Sequence, residues 1–325
     1  MKKTELMRAY YLMKLARDFE TRTAEQYTRG RIGGFCHLYS GEEAVAVGAT
    51  WHLTPDDYVV GSYRDHAYYL VRGGDPGEAM AELFGHKEGC CKGRGGSMHL
   101  YDADINFLGG YAIVGGECPI ATGLGYAARL EGQGRVVLCS FGDGATNQGA
   151  YHEALNMASL YRLPVVWLCE NNLYGIGTGV SRASAQRSMA KKAGEAYNMP
   201  ADVVDGMDFL KMQSVAERAI RRARAGEGPS FIEARCYRYR GHSMSDPATY
   251  RSRAEVDVWK ERDPLPRLKA IIRSDFEIGD EEFEEVDGRV KAELEKAVAF
   301  AEAGSELPVE RLHEDLYAEE VAGNG

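Results

Sequence analysis

Asp143 stands between two glycines in the run FGDGATNQG at residues 141–149, and a second polar run, ENNLYG at 170–175, follows later in the chain. A carboxylate and a neutral amide oxygen are the donors that magnesium takes: it is a hard ion wanting octahedral oxygen at about 2.0–2.1 Å, shared between one or two protein groups and substrate phosphates. Asp143 supplies the charge, Asn172 the amide oxygen, and a main-chain carbonyl near Tyr174 can supply a third ligand. Gly142 and Gly144 let the main chain turn sharply and approach a phosphate with no side chain between. Together the two runs read as the two ends of a magnesium-diphosphate site. Gly-Asp-Gly alone also makes an ordinary strand-ending turn. The second run, at crossover distance, favours the ligand reading.

The elements that must position these groups are legible around them. Residues 136–141 and 164–169 are short apolar runs, as for buried strands. Between them, in 148–162, Tyr151, Ala154, Leu155 and Ala158 share one helical face. A strand, helix and strand in this order make a parallel crossover, which puts Asp143 and Asn172 at the same edge of a sheet. That edge is where open parallel sheets bind ligands, and a helix following it offers free N–H groups to phosphate oxygens. Further helices are expected at 4–29, 41–52, 76–84, 118–131 and near 208–225, with a strand at 230–238. Ser40 followed by Glu43 is a capping-box pattern for the second helix, and Asp75-Pro76 opens the third. A loop runs from 241 to 247. The chain is then charged and helical to about 305, interrupted by Pro264 and Pro266, and its last twenty residues are acidic and expected to be loosely held. The expected fold class is α/β, a parallel sheet flanked by helices, over residues 1–253, with a helical C-terminal extension over 254–325.

Further blocks surround the two runs: GGFCHLYSGEEA at 33–44, YRDH at 63–66, GRGGSMH at 93–99, IVG at 113–115 and RGHSMSDP at 240–247. In this order they resemble the alpha subunit of the decarboxylating component of pyruvate dehydrogenase complexes, over about residues 5–260, and the pair GDG and ENN resembles the thiamine diphosphate-binding motif. The resemblance implies a thiamine diphosphate-binding fold. It makes Asp143, Asn172 and the Tyr174 carbonyl the Mg2+ ligands, with backbone N–H groups of Gly144 and Ala145 on the diphosphate. It places Tyr63 and Arg64 on the opposite side of the diphosphate, Arg64 through charge-assisted hydrogen bonds, and Val114 against the aminopyrimidine through its main chain. His37 and His242 would line the reacting end as catalytic residues. Ala112 departs from the family, which commonly has glycine there.

Each assignment has a plainer competitor. Tyr63-Arg64 could be a surface pair on a helix, since arginine is mostly exposed. His66 and His99 read as structural, because nothing in the sequence gives them a partner. Gly93–Gly96 reads as a flexible loop, and no G-x-x-x-x-G-K-[ST] phosphate loop occurs in the chain.

Composition bounds the class. The 325 residues are 44% hydrophobic and 27% charged, ordinary for a globular enzyme. A net charge of −10 argues against nucleic acid, whose phosphates are bound by clustered Lys and Arg. Seven cysteines, an odd number with no C-x-x-C, argue against both a disulfide framework and a zinc site. Residues 4–29 read as an amphipathic helix rather than a signal peptide, and no apolar run reaches the eighteen or so residues of a membrane span. The expected compartment is the cytoplasm.

Enzymes of the family activate the cofactor through a carboxylate on the pyrimidine ring. The resemblance implies that this carboxylate sits on a separate beta subunit, and 325 residues leave no room for a second parallel-sheet domain. The expected partners are therefore that beta subunit, in an α2β2 heterotetramer, and the lipoyl domain of the dihydrolipoyl acyltransferase component. The reaction implied is decarboxylation of a 2-oxo acid with reductive acylation of the lipoyl group. GHSMSDPATYR fits the pyruvate branch better than the branched-chain one. Alternatives are the alpha subunit of an acetoin dehydrogenase and a non-catalytic magnesium-phosphate-binding module. Ser243 resembles a phosphorylated position of mitochondrial relatives, but with no transit peptide ahead of it a kinase is not expected.

Overall fold

The computed structural model describes residues 1–311, 313 and 314; the expectation for the acidic end therefore falls largely outside the described residues. Strands β1 (Tyr58–Ser62), β2 (Phe107–Tyr111), β3 (Val137–Gly142), β4 (Val165–Asn171), β7 (Ala201–Asp205) and β8 (Ser230–Arg235) form one parallel sheet in the order β2-β1-β3-β4-β8-β7. Between β4 and β7, β5 (Tyr174–Gly175) and β6 (Thr178–Gly179) pair antiparallel. The helices are α1 (Lys3–Thr28), α2 (Glu43–Thr50), α3 (His66–Val71), α4 (Pro76–Phe84), α5 (Glu117–Glu131), α6 (Gly149–Leu160), α7 (Val180–Ala183), α8 (Met189–Tyr197), α9 (Phe209–Arg224), α10 (Arg253–Lys260), α11 (Pro264–Phe276) and α12 (Asp280–Ala303).

The central strands β3, β4 and β8 are buried at nearly every position because both faces are covered. Leu138, Val166, Leu168 and Ile232 face a core that includes side chains of α1, α2, α3, α4 and α9. Their alternates Val137, Cys139, Phe141, Val165, Trp167, Cys169 and Phe231 face α5, α6 and α8. Cys139 and Cys169 are fully buried there and act as small hydrophobes.

The C-terminal helices return to the first one. Tyr10 of α1 packs edge-on to Phe283 of α12, and its hydroxyl donates to Asp287 at 3.0 Å. Pro264 does not break a helix but begins one: it occupies the first turn of α11, where its missing N–H costs nothing, and the Asp263 carboxylate accepts from the Leu265 N–H at 2.9 Å. The capping box expected at Ser40 and Glu43 does not form. Arg17 donates to Glu43 Oε2 at 2.7 Å, the Gly41 N–H donates to Glu43 Oε1, and α2 begins at Glu43 with no side-chain cap.

Candidate active site

Strands β3 and β4 run side by side with Gly142 level with Glu170, so the two polar runs leave the sheet at the same edge. Asp143–Asn147 is a tight 3-10 turn, and α6 starts only at Gly149. The N–H groups of Gly144 and Ala145 thus belong to that turn, ahead of the helix. On the facing run Leu173 and Ile176 have φ of +74° and +55°. A β-branched residue in that region is strained, and such strain gathers at ligand clamps. The two runs touch through glycine: a Cβ on Gly175 would lie 3.4 Å from Gly144 Cα and 3.8 Å from an Asp143 carboxylate oxygen.

Asp143 is 5% exposed. Burial pushes its carboxyl up to about 7, against the pull of main-chain N–H groups of Asp143 and Asn172 and of Arg238. A buried carboxylate in that condition gains strongly from a cation. Asn172 donates through Nδ2 to Glu42 Oε1 at 3.1 Å, which fixes its amide and leaves Oδ1 only a long contact, 3.5 Å, from the Tyr174 N–H. The donor set is all oxygen, and it suits magnesium.

Asp143, Gly144, Ala145, Asn172 and Tyr174 line one cleft together with Tyr63, Arg64 and Val114, from the far side. Tyr63 and Arg64 are not a surface pair on a helix. They lie between β1 and α3, and Arg64 is buried, donating to the main-chain oxygens of Leu38 at 2.7 Å and His242 at 2.8 Å. Arg238, which the sequence reading missed, joins it on the cleft wall, donating to Ile176 O and the Tyr250 hydroxyl at 3.1 and 2.8 Å. Two guanidiniums in one cleft suit an oxyanion with several oxygens.

His37 and His242 stand beside the cleft, their rings 5.0 Å apart and 4.5 and 5.5 Å from the Tyr63 ring. Burial, then Arg64, pushes His37 down to about 2 and His242 down to about 4, so both rings are neutral near pH 7. Nδ1 of each is buried with no hydrogen-bond partner. The backbone around His37 is pinned from beneath. Its N–H donates to Ser97 Oγ, which lies 2.9 Å from His66 Nε2; His66 Nδ1 meets Glu20, and Glu20 Oε1 also accepts from the Tyr39 N–H at 3.0 Å. His66 has the partner that the sequence could not supply, and His99 has one in the Gly110 carbonyl, 3.0 Å from Nδ1. The loop at 241–247 is closed by Asp246, which accepts from the N–H groups of His242 at 2.6 Å and Ala248 at 2.8 Å.

The glycine run at 93–96 is neither loose nor aimed at phosphate. The buried carboxylate of Glu82 accepts from Cys91 and Gly93 N–H through one oxygen and from Gly95 and Gly96 N–H through the other, at 2.6–3.0 Å. Nothing near the run announces Glu82; only the fold brings it there.

Glu117, at the first turn of α5, also escaped the sequence reading. It lines the cleft, is fully buried, and neither carboxylate oxygen has a partner. Burial pushes it up to about 8, as it does Asp65 and Glu170. Acids raised in the folded state hold protons that the unfolded chain gives up above about pH 4, so the folded state loses stability as pH rises toward 8. The cofactor-free protein should therefore melt lower at pH 8 than at pH 5, and Glu117→Gln should flatten that slope by roughly 3 °C at its upper end. Calorimetry across this range checks it; an unchanged slope would mean that Glu117 ionises as freely in the fold as in water.

Beyond the cleft the surface turns apolar. Ile113 is 77% exposed, and Ile120, Gly123, Ala127 and Leu130 lie on one open face of α5, beside exposed Met157, Leu160 and Tyr161 at the end of α6. Among the described residues no helix is long and apolar enough to cross a membrane.

Similarity to known proteins extends over nearly the whole chain. The family described as "Dehydrogenase E1 component" matches residues 11–310. The chain is 43% identical over 324 residues to "Pyruvate dehydrogenase E1 component subunit alpha" of Porphyra purpurea, covering 98% of this chain and 94% of that protein. It is 43% identical over 317 residues to the protein of the same name from Rickettsia bellii, covering 98% and 96%. With "Pyruvate dehydrogenase E1 component subunit alpha-3, chloroplastic" of Arabidopsis thaliana it shares 41% over 323 residues, covering 98% and 75%.

Proposed function

The chain belongs to the dehydrogenase E1 component family, and from that premise we propose that it is the alpha subunit of a thiamine diphosphate-dependent pyruvate dehydrogenase, which decarboxylates pyruvate oxidatively and acetylates a lipoyl group reductively. One observation carries the reading: a buried carboxylate, a fixed amide and two buried guanidiniums converge in one cleft at the carboxyl ends of parallel strands.

In this reading Asp143, Asn172 and the Tyr174 carbonyl hold Mg2+, the N–H groups of Gly144 and Ala145 meet the diphosphate, and Tyr63, Arg64 and Arg238 meet it from across the cleft. Val114 supports the aminopyrimidine. When bound, the cofactor supplies the electron sink for loss of carbon dioxide. The protein's own groups bind, orient and exclude water. The beta subunit supplies the missing carboxylate in an α2β2 assembly with closed symmetry, the lipoyl domain of the acyltransferase component is the acyl acceptor, and the compartment proposed is the cytoplasm. The test is pyruvate-dependent acetylation of a lipoyl domain by the chain mixed with a beta-type subunit. Acetoin turned over in preference to pyruvate would overturn the substrate assignment.

His242 is assigned proton transfer to the acceptor, with His37 beside it at the reacting end. Both rings are neutral because of burial and the nearby guanidiniums, and the diphosphate charge, by offsetting those guanidiniums, moves His242 back toward the range where imidazole exchanges protons. His242→Ala is expected to keep cofactor binding and to slow acyl transfer to the lipoyl group by on the order of a hundredfold, the lower end of what a positioned acid or base contributes. Normal single-turnover acylation in that variant would leave His242 without a catalytic role.

A further inference from the structure

We propose that Cys90 and Cys91 form a chelating site for a thiophilic divalent cation of the zinc type, separate from the cofactor cleft. The lack of C-x-x-C speaks against a structural zinc site with four cysteines, but adjacent cysteines make a different kind of ligand. Successive side chains of an extended segment point to opposite sides. Here the chain turns, with Lys92 and Gly93 at φ of +57° and +77°, and the two sulfurs stand 3.9 Å apart. Two thiolates on one tetrahedral zinc, each bonded at about 2.3 Å, are separated by about 3.8 Å. The pair is therefore already at the spacing of a shared ion.

Oxygen donors stand close by. A Glu82 carboxylate oxygen lies within 4.8 Å of both sulfurs, and the Cys91 sulfur is 3.2 Å from the His99 carbonyl oxygen and 3.6 Å from that of Tyr101. Glu82 already accepts four N–H groups, which fill its lone pairs. Its part is to hold the turn in the chelating shape before the ion arrives and to place a negative charge beside it. The remaining coordination places fall to a main-chain carbonyl and solvent. Binding is a ligand exchange with a clear balance: each thiol S–H breaks, two sulfur–metal bonds form, and two protons pass to solvent. Soft sulfur donors select against magnesium, so this site and the all-oxygen set at Asp143 take different ions. Access also differs along the chain: Cys90 and Cys91 are half-buried, while Cys36, Cys118, Cys139, Cys169 and Cys236 are buried.

Cadmium, which binds like zinc and gives an ultraviolet thiolate charge-transfer band, is the probe. Titrated into the full-length, reduced, cofactor-free protein, it should produce that band with one equivalent, and zinc should remove it competitively. Cys90→Ser and Cys91→Ser should each abolish the band, whereas Cys36→Ser should keep it. No band in the wild type, or a band that survives both substitutions together, overturns the site. If either serine variant misfolds by circular dichroism, alkylation of the wild type decides: zinc should slow iodoacetamide labelling of Cys90 and Cys91 by at least about tenfold, since the thiolate is the reactive form and the metal sequesters it. Equal labelling with and without zinc also overturns the proposal.

Discussion

Purified alone, the chain is expected to show no measurable pyruvate decarboxylation, and to gain it on mixing with a beta-type partner. Among the described residues there is a single six-stranded sheet, and it provides one wall of the proposed cofactor site. The rim of the cleft is open to solvent: Ile176, which lines it, is 62% exposed, and Ile113, next to Val114 of the lining, is 77% exposed. Catalysis in a wet half-site would forgo the low dielectric in which fixed charges act most strongly. A steady-state assay of the chain, the partner and the mixture decides. Turnover by the chain alone at the rate of the mixture would place the activating carboxylate within it, and Glu117, buried and unpartnered on the cleft wall, would be the group to examine first.

Asp143→Ala should weaken magnesium-dependent binding of thiamine diphosphate by more than about a hundredfold, the upper end of what loss of even an outer partner costs a metal site. The substitution removes the one charged side chain of the proposed ligand set, and Asn172 and a carbonyl cannot replace its charge. Titration calorimetry of the assembled protein measures this directly. Unchanged binding would remove Asp143 from the ligand set.

The crossover that builds the cleft is legible in the sequence for a physical reason. Strands covered on both faces, such as β3 and β4, carry near-continuous apolar runs, and that pattern survives without knowledge of the fold. β1, β2 and β7 escaped because they are short and mixed: β2 contains Gly109 and Gly110, and β7, at the sheet edge, begins Ala201-Asp202 and leaves Val203 half exposed. The residues missed at the site share another trait. Arg238 and Glu82 act on groups distant in sequence or on main-chain atoms, and Glu117 is placed on the cleft wall by the fold without a partner, so neither periodicity nor local spacing marks them. Ser40 and Glu43 show the converse, a correct local pattern overruled when Arg17, far away in the chain, claims the glutamate.

The apolar face of α5 continues directly from the segment that carries Val114. In the proposed assembly, covering that face and finishing the cofactor site are then one event rather than two. Linkage makes this reciprocal: whatever the partner adds to cofactor affinity, the cofactor must add to the partner's affinity, by the same factor. The melting temperature of such a protein has no single value, because it rises with the concentration of partner and of cofactor alike.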